Sequence, residues 1–191
     1  MNFTLFYSGR IRSSNKRNVK HINDIRCKLS PQIRQLYDCN PLKSIDAKCE
    51  PGSHTAQDVR TYTKIAGRDY SSLVNKGLGL ACQINVIFYE ATGTISVAND
   101  IGDVDNKAKT LIDALKLPSN DEVDKLSDEL MQSTVHCLLM DDAFLWGVDL
   151  KRRRLLHPEL RKEKTLTQID VQVMPTSVTI ANIGLFGVPV F

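Results

Sequence analysis

Apolar and polar residues alternate from the start of the chain. Phe3, Leu5 and Tyr7 are apolar between polar neighbours, which predicts a strand over Asn2–Tyr7. A polar, basic turn from Ser8 to Arg17 follows. His21–Tyr37 predicts a helix with Pro31 inside it. Pro41, Pro51 and Gly52 make 38–58 an irregular stretch, and Thr61–Val74 fits either a helix or short strands, so 38–79 reads as irregular connection. Leu80–Tyr89, with Val86-Ile87-Phe88-Tyr89, predicts a strand, and 90–102 a loop. Ala108, Leu111, Ile112 and Leu115 repeat at i, i+3, i+4, i+7, predicting a helix over Asn106–Leu117 with Asp105 as N-cap and Pro118 as its stop. A polar, acidic stretch over 119–136 suggests a short helix around Asp121–Met131. Phe144, Trp146, Val148 and Leu150 alternate as a strand, Lys151–Lys164 reads as a charged connection, and Ile169, Val171 and Val173 give another strand. The apolar tail Val178–Phe191 fits a last strand or a docking segment. The expected fold is α+β: one domain over 1–191, a mixed β-sheet with flanking helices.

Charge changes this picture more than composition does. The 191 residues carry a formal net charge of +3 and 42% hydrophobic content, ordinary for a globular chain. Yet residues 1–80 sum to +8, 81–150 to −9 and 151–191 to +4. Basic flanks suit phosphate contacts, and a carboxylate-rich middle suits divalent cations. No run approaches the ~18 apolar residues of a membrane span, and no secretory leader is visible, so the expectation is a cytoplasmic protein with no membrane partner. Cys27, Cys39, Cys49, Cys82 and Cys137 include no C-x-x-C pair and are expected to be reduced thiols. The gaps among Cys27, Cys39, Cys49 and His54 match no common zinc spacing.

The chemistry concentrates in Asp103-Val104-Asp105-Asn106 and the helix that follows. At ~100° per residue, Asp105, Lys109 and Asp113 advance only ~40° per step and form one polar stripe beside the apolar face. They should therefore edge the core. Asp103 and Asp105, two apart at the helix entrance, can reach a common point. A second pair, Asp141-Asp142, follows Leu138-Leu139-Met140, far enough along the chain to return to the same sheet edge. Carboxylates converging from two loops are what Mg²⁺ needs, with Mn²⁺ as the alternative ion. Capping at Asp103-x-Asp105 and a turn at Asp141-Asp142 are the plainer readings. A calcium loop counted from Asp103 fails, with Ala108 where glycine is needed and Ala114 where glutamate is needed.

D-x-D-N-x-x-K-x-x-x-D-A-L followed by L-x-x-D-D before a strand resembles the RusA-type Holliday junction resolvases of phages and bacteria. That resemblance covers residues 80–150. It implies a RusA-like fold and a small homodimeric, Mg²⁺-dependent endonuclease that cuts four-way DNA junctions. By position, Asp103, Asp105 and Asp142 match the family's catalytic, metal-binding aspartates and Lys109 its catalytic lysine; Asn106 and Asp113 match further motif positions, and Asp141 stands beside Asp142. Arg12-Ser13-Ser14-Asn15-Lys16-Arg17 resembles the family's Ser-Asn-basic segment, making Arg12, Asn15, Lys16 and Arg17 candidate DNA contacts. The chain departs from the family in its length, in an acidic insertion within 119–136, in residues 38–79, and in Gly9-Arg10-Ile11 where a proline-rich opening is usual.

Lys151-Arg152-Arg153-Arg154 could also grip a DNA backbone, as could Arg10, Lys20 and Arg26. His21, His54, His136 and His157 show no metal-ligand spacing, and no G-x-S-x-G is present. Two other readings stay open: a protein that binds nucleic acid without cutting it, and a metal-dependent nuclease acting on flaps or single strands.

Overall fold

The N-terminal alternation becomes strand β1 (Asn2–Ser8), with Leu5 and Tyr7 buried and Thr4, Phe6 and Ser8 exposed. The computed structural model describes residues 1–12, 18–45, 61–91, 101–126, 134–156, 165–179 and 182–186, without the side chains of 45, 90, 91 and 101–103. β1 lies antiparallel to β7 (Thr165–Pro175), Leu5 opposite Ile169. β7 pairs antiparallel with β4 (Leu80–Ala91), which pairs in parallel with β6 (Leu145–Leu155). The order β1-β7-β4-β6 is a mixed, four-stranded sheet. Leu5, Ile84, Val86, Ile169 and Val171 cover one face with core residues. The opposite face is polar: Asp170 accepts from Thr4 (2.9 Å), Asn85 (3.1 Å) and Gln168 (2.9 Å).

Thr61–Val74 resolves into strands, β2 (Tyr62–Ile65) and β3 (Arg68–Val74), joined by a tight turn. Ala66 and Gly67 both take positive φ (44° and 80°), the hand that matches strand twist in a two-residue hairpin. β3 then pairs in parallel with β5 (Thr134–Leu139), a strand the sequence pattern does not predict. β5 is buried along its whole length, so it lacks the alternation of a half-exposed strand. His136 and Leu138 face one helix, and Val135 and Cys137 join Tyr70 and Val123 in a second, smaller cluster.

That helix is α1 (Val19–Leu36), wedged between the two sheets. Asn18 caps it by accepting from the His21 N–H (3.1 Å), and Pro31 sits on its exposed side. Ile22, Ile25, Leu29 and Ile33 form its buried stripe, each worth about 2 kcal/mol in apolar burial. A buried hydroxyl triangle of Tyr37, Thr61 and Ser71 (3.0–3.3 Å) ties the end of α1 to β3. The main core draws on both sheets, so the described chain is a single α+β domain.

α2 runs from Ile101 to Leu115, starting inside the expected loop and ending two residues short of Leu117. Asp105 is consequently a second-turn residue and not the N-cap. α3 (Asn120–Val123) is one short turn, and Glu122 Oε2 accepts from the N–H of Ser119, its N-cap (3.0 Å). The rest of the expected helix to Met131 falls partly in 127–133, outside the described residues. Lys151–Arg154, expected as the start of a connection, continues β6 as strand. Its neighbour β4 supplies backbone pairing as far as Leu155, which overrides the unfavourable charge run. In the tail the described residues form a turn, Ile183–Phe186, and no strand. Buried Asn182 donates to the carbonyls of Leu78 and Ser177 (2.8 Å each) and docks this segment on the β3–β4 turn. Among the described residues no helix is long and apolar enough to cross a membrane.

Candidate functional site

Helix α2 carries most of the candidate residues. Ala108, Leu111, Ala114 and Leu115 are buried and set its orientation, with Val104 and Ile112 packed at the margins. Asp105 and Lys109 are exposed, whereas Asp113 is half-buried. The expectation that the polar stripe edges the core therefore holds for Asp113 alone. Asp113 owes its partial burial to the last turn of α2, where Lys116 bridges it to Asp142. The backbone of Asp103 lies in the first turn of α2, and its side chain is outside the description. Asn106 is half-buried, and its carbonyl accepts from Thr110 Oγ1 (3.0 Å).

The C-terminal end of α2 is held from below. Arg26, only 1% exposed, reaches from α1 and donates to the carbonyls of Asp113 (2.8 Å) and Lys116 (3.2 Å). Those carbonyls are among the last of the helix, which have no partner within it, and a cation there also opposes the helix dipole. This overturns the reading of Arg26 as a phosphate contact: it is a buried cap.

With α2 fixed, its next residue becomes a junction. Leu117 N–H donates to the Leu139 carbonyl (3.0 Å), drawing the end of β5 and the Asp141-Asp142 turn against α2. Lys116 Nζ then lies 2.9 Å from Asp142 Oδ2 and 3.2 Å from Asp113 Oδ1. Asp141 has a local task, accepting from Ala143 N–H (2.9 Å) to start a short 3₁₀ turn, Asp142–Phe144. The Lys116 hydrogen bond and charge hold the Asp142 carboxyl below the usual carboxylate range. Burial would lower the ammonium pKa, but the bonds to Asp142 and Asp113 outweigh it and raise the value.

The structure thus joins Asp113 and Asp142 through a lysine the sequence reading passed over. The signal was available: Lys116 follows Asp113 by three residues, the spacing of neighbours on a helix surface. Asp105 stands two turns away, about 12 Å along the axis at 1.5 Å per residue. The donors are all carboxylates, the chemistry of a hard divalent ion. Among the described residues no three His, Cys, Asp or Glu side chains group closely enough to hold a metal ion.

The basic candidates divide three ways. Asn15, Lys16 and Arg17 lie outside the described residues. Arg12 is exposed beside α2, its carbonyl within 3.4 Å of Thr110 Oγ1. Lys151-Arg152-Arg153-Arg154 does not present one patch, because successive strand residues face opposite ways. By register Lys151 and Arg153 sit beside Ile87 and Tyr89 on the polar face, while Arg152 and Arg154 sit beside Phe88 and Glu90. Comparison of the chain with protein-family models, with curated proteins and with solved structures finds no match.

Proposed function

We propose that this protein is a Mg²⁺-dependent endonuclease with a RusA-like fold that hydrolyses DNA phosphodiesters, with branched DNA such as a four-way junction as its substrate, acting as a homodimer. The observation that carries the reading is the return of the Asp141-Asp142 turn to α2. Two motif carboxylates from separate elements there converge on one cationic atom, Lys116 Nζ. Electropositive segments on either side of the acidic middle support a polyanionic substrate.

In this proposal Asp103 and Asp105, near the start of α2, would hold the ion, which would supply a Lewis acid for the phosphate when bound. Asp142 is tied to Lys116 beside Asp113, about 12 Å further along the helix, and does not share that ion in this arrangement. Exposed Lys109 would meet the negative charge that develops on the phosphate oxygens. Asp113, with Lys116, keeps Asp142 ionised and fixed on α2. Arg12, Lys151 and Arg153 would hold flanking phosphates.

Labelled four-way junctions, flaps and single strands incubated with Mg²⁺ test the proposal. Junction cutting that falls at least a hundredfold in both Asp105→Asn and Lys109→Ala is expected. Undiminished cutting by both variants would remove this site. Junction binding without cleavage would favour a non-catalytic binding protein, and cutting confined to flaps or single strands would move the substrate.

A further inference from the structure

We propose that the outer face of the four-stranded sheet, around Phe6, Ile87, Tyr89, Lys151 and Arg153, is a platform for single-stranded nucleic acid. These residues come from β1, β4 and β6, and register fixes their neighbours.

The polar face of this sheet is not uniform along its strands. Residues side by side across the four strands form rows, and rows on one face lie two residues apart, roughly 6.6 Å. Asn2, Gln172, Gln83 and Gly147 make one row, and Thr4, Asp170, Asn85 and Asp149 the next. Beyond these come Phe6, Gln168, Ile87 and Lys151, then Ser8, Leu166, Tyr89 and Arg153. The first two rows are amides and carboxylates. The last two set the rings of Phe6 and Tyr89 and the aliphatic Ile87 and Leu166 beside two cations, with no carboxylate in either row. Phe6 is 49% exposed at one edge of the sheet, and Lys151 and Arg153 are exposed at the other.

Local bonds hold the aromatic residues in place. Gln32 of α1 occupies the backbone groups of Phe6, accepting from its N–H (2.9 Å) and donating to its carbonyl (2.7 Å). That clamp closes the edge of β1 to strand addition at this point and fixes Phe6, while the ring stays open to solvent. The Tyr89 hydroxyl donates to Gln168 Oε1 (3.0 Å), and Gln168 Nε2 donates to Asp170 Oδ1 (2.9 Å), which ties the Tyr89 ring to β7. Gln168 foremost, with Thr4 and Asn85, holds the Asp170 carboxyl below the usual carboxylate range, and Lys151 is the smallest contributor. Phe6 and Lys151 are three strand spacings apart, about 14 Å at ~4.8 Å each. Four-stranded sheets with exposed aromatic residues stack two or three bases over such a width, while cations meet the phosphates. A single strand can splay its bases onto those rings, whereas a duplex keeps them stacked inside. Lys151 and Arg153 are shared with the nuclease reading; Phe6 and Tyr89 are not, and the platform does not depend on cleavage.

The test is fluorescence anisotropy of labelled oligothymidylate and oligouridylate with the full chain, in EDTA so that cutting does not intervene. Saturable binding is expected, for which polyphosphate, a polyanion without bases, competes roughly tenfold less well. Phe6→Ala should weaken binding about tenfold, the loss of one stacked base, and Phe6→Tyr should restore it. Lys151→Gln and Arg153→Gln should each lower the slope of log affinity against log salt by about 0.7. Lys76→Gln removes the same charge from the β3–β4 turn and should leave affinity unchanged. Preference for the deoxyribose or the ribose strand identifies the natural ligand, and either supports the platform. Unaltered affinity in Phe6→Ala with native spectra, or polyphosphate competing as well as the oligonucleotides, overturns it. A dimer that Phe6→Ala dissociates while oligonucleotide affinity holds also overturns it and makes the face a contact between copies. Binding with the expected variant pattern and no junction cut leaves the platform standing and removes the nuclease reading. Junctions cut by a protein whose Phe6→Ala variant binds oligonucleotides as the parent does would have the reverse meaning.

Discussion

At its C-terminal end α2 rests on a buried guanidinium and on the end of β5, and Lys116 there is already committed to two carboxylates. At its N-terminal half Asp105 and Lys109 are exposed, and Lys107 lines a neighbouring cleft with Arg10, Arg12, His21, Asp24 and Lys28. One helix therefore has an end tied into the fold and an end whose Asp105 and Lys109 are open to solvent. Structure is invested at the first, and capacity for a ligand remains at the second. The same fifteen-residue span of sequence looks uniformly amphipathic, so the distinction comes from what other elements bring to each end.

Variants at the two ends should separate these roles. Arg26→Met removes the cap yet keeps much of the apolar stem, leaving the carbonyls of Asp113 and Lys116 without their donor. Urea unfolding should show a loss of about 4 kcal/mol, at 1–3 kcal/mol per stranded group plus lost packing. A loss below 1 kcal/mol would mean that Arg26 is not what secures this end. Cys137 provides a second probe of the same region. Burial pushes its thiol up to about 12 from an ordinary value of 9. The raised value means the folded state keeps a proton that the unfolded state releases. Its contribution is thus intact below pH 9 and lost as pH climbs toward 12, at about 1.4 kcal/mol per pH unit. Alkaline unfolding should track that window, and a thiol reagent at pH 8 should modify exposed Cys39 long before Cys137.

Lys116→Met should cost less than 1 kcal/mol, because Asp142 is 56% exposed and water screens the pair. Its signature is a titration. The Asp142 carboxyl, held low in the parent, should return to the ordinary carboxylate range in an NMR pH series. The stability from that pair is present above about pH 4 and lost as pH falls through the lowered value, so the variant should flatten the acid limb of the stability curve. Smallest of all, Asp105→Asn and Lys109→Ala should change stability by less than 0.5 kcal/mol, as surface positions do. A large loss at either would place them in the scaffold and dissolve the contrast between the two ends.

Half-exposed elements were readable from the sequence because burial on one side writes a period into the chain. β1, β4 and β7 alternate, and α1 keeps its stripe through Pro31. β5 was not readable, since helices or side-chain clusters cover both of its faces and its polar residues, Thr134 and His136, are buried with the rest, leaving no solvent-facing side. The start of α2 was missed for another reason: Asp105 resembles an N-cap locally, yet the helix had already begun at Ile101. In the candidate site, Asp142 was expected to meet Asp103 and Asp105, whereas the chain returns it to the other end of α2, onto Lys116 beside Asp113. Which lysine meets it depends on where β5 ends relative to α2. Arg26 shows the same limit in sharper form, because nothing in a lone arginine on an amphipathic helix says that two carbonyls from another helix await it.

The alternation of Lys151, Arg152, Arg153 and Arg154 has a consequence for the folded protein before any ligand arrives. Among the described residues β6 is an outermost strand, and such an edge offers a template onto which another chain's strand could add. Splitting four cations between its two faces charges that edge from above and below. An approaching copy would bring the same four cations against them. Repulsion between the two runs would disfavour edge-to-edge addition along the C-terminal half of β6.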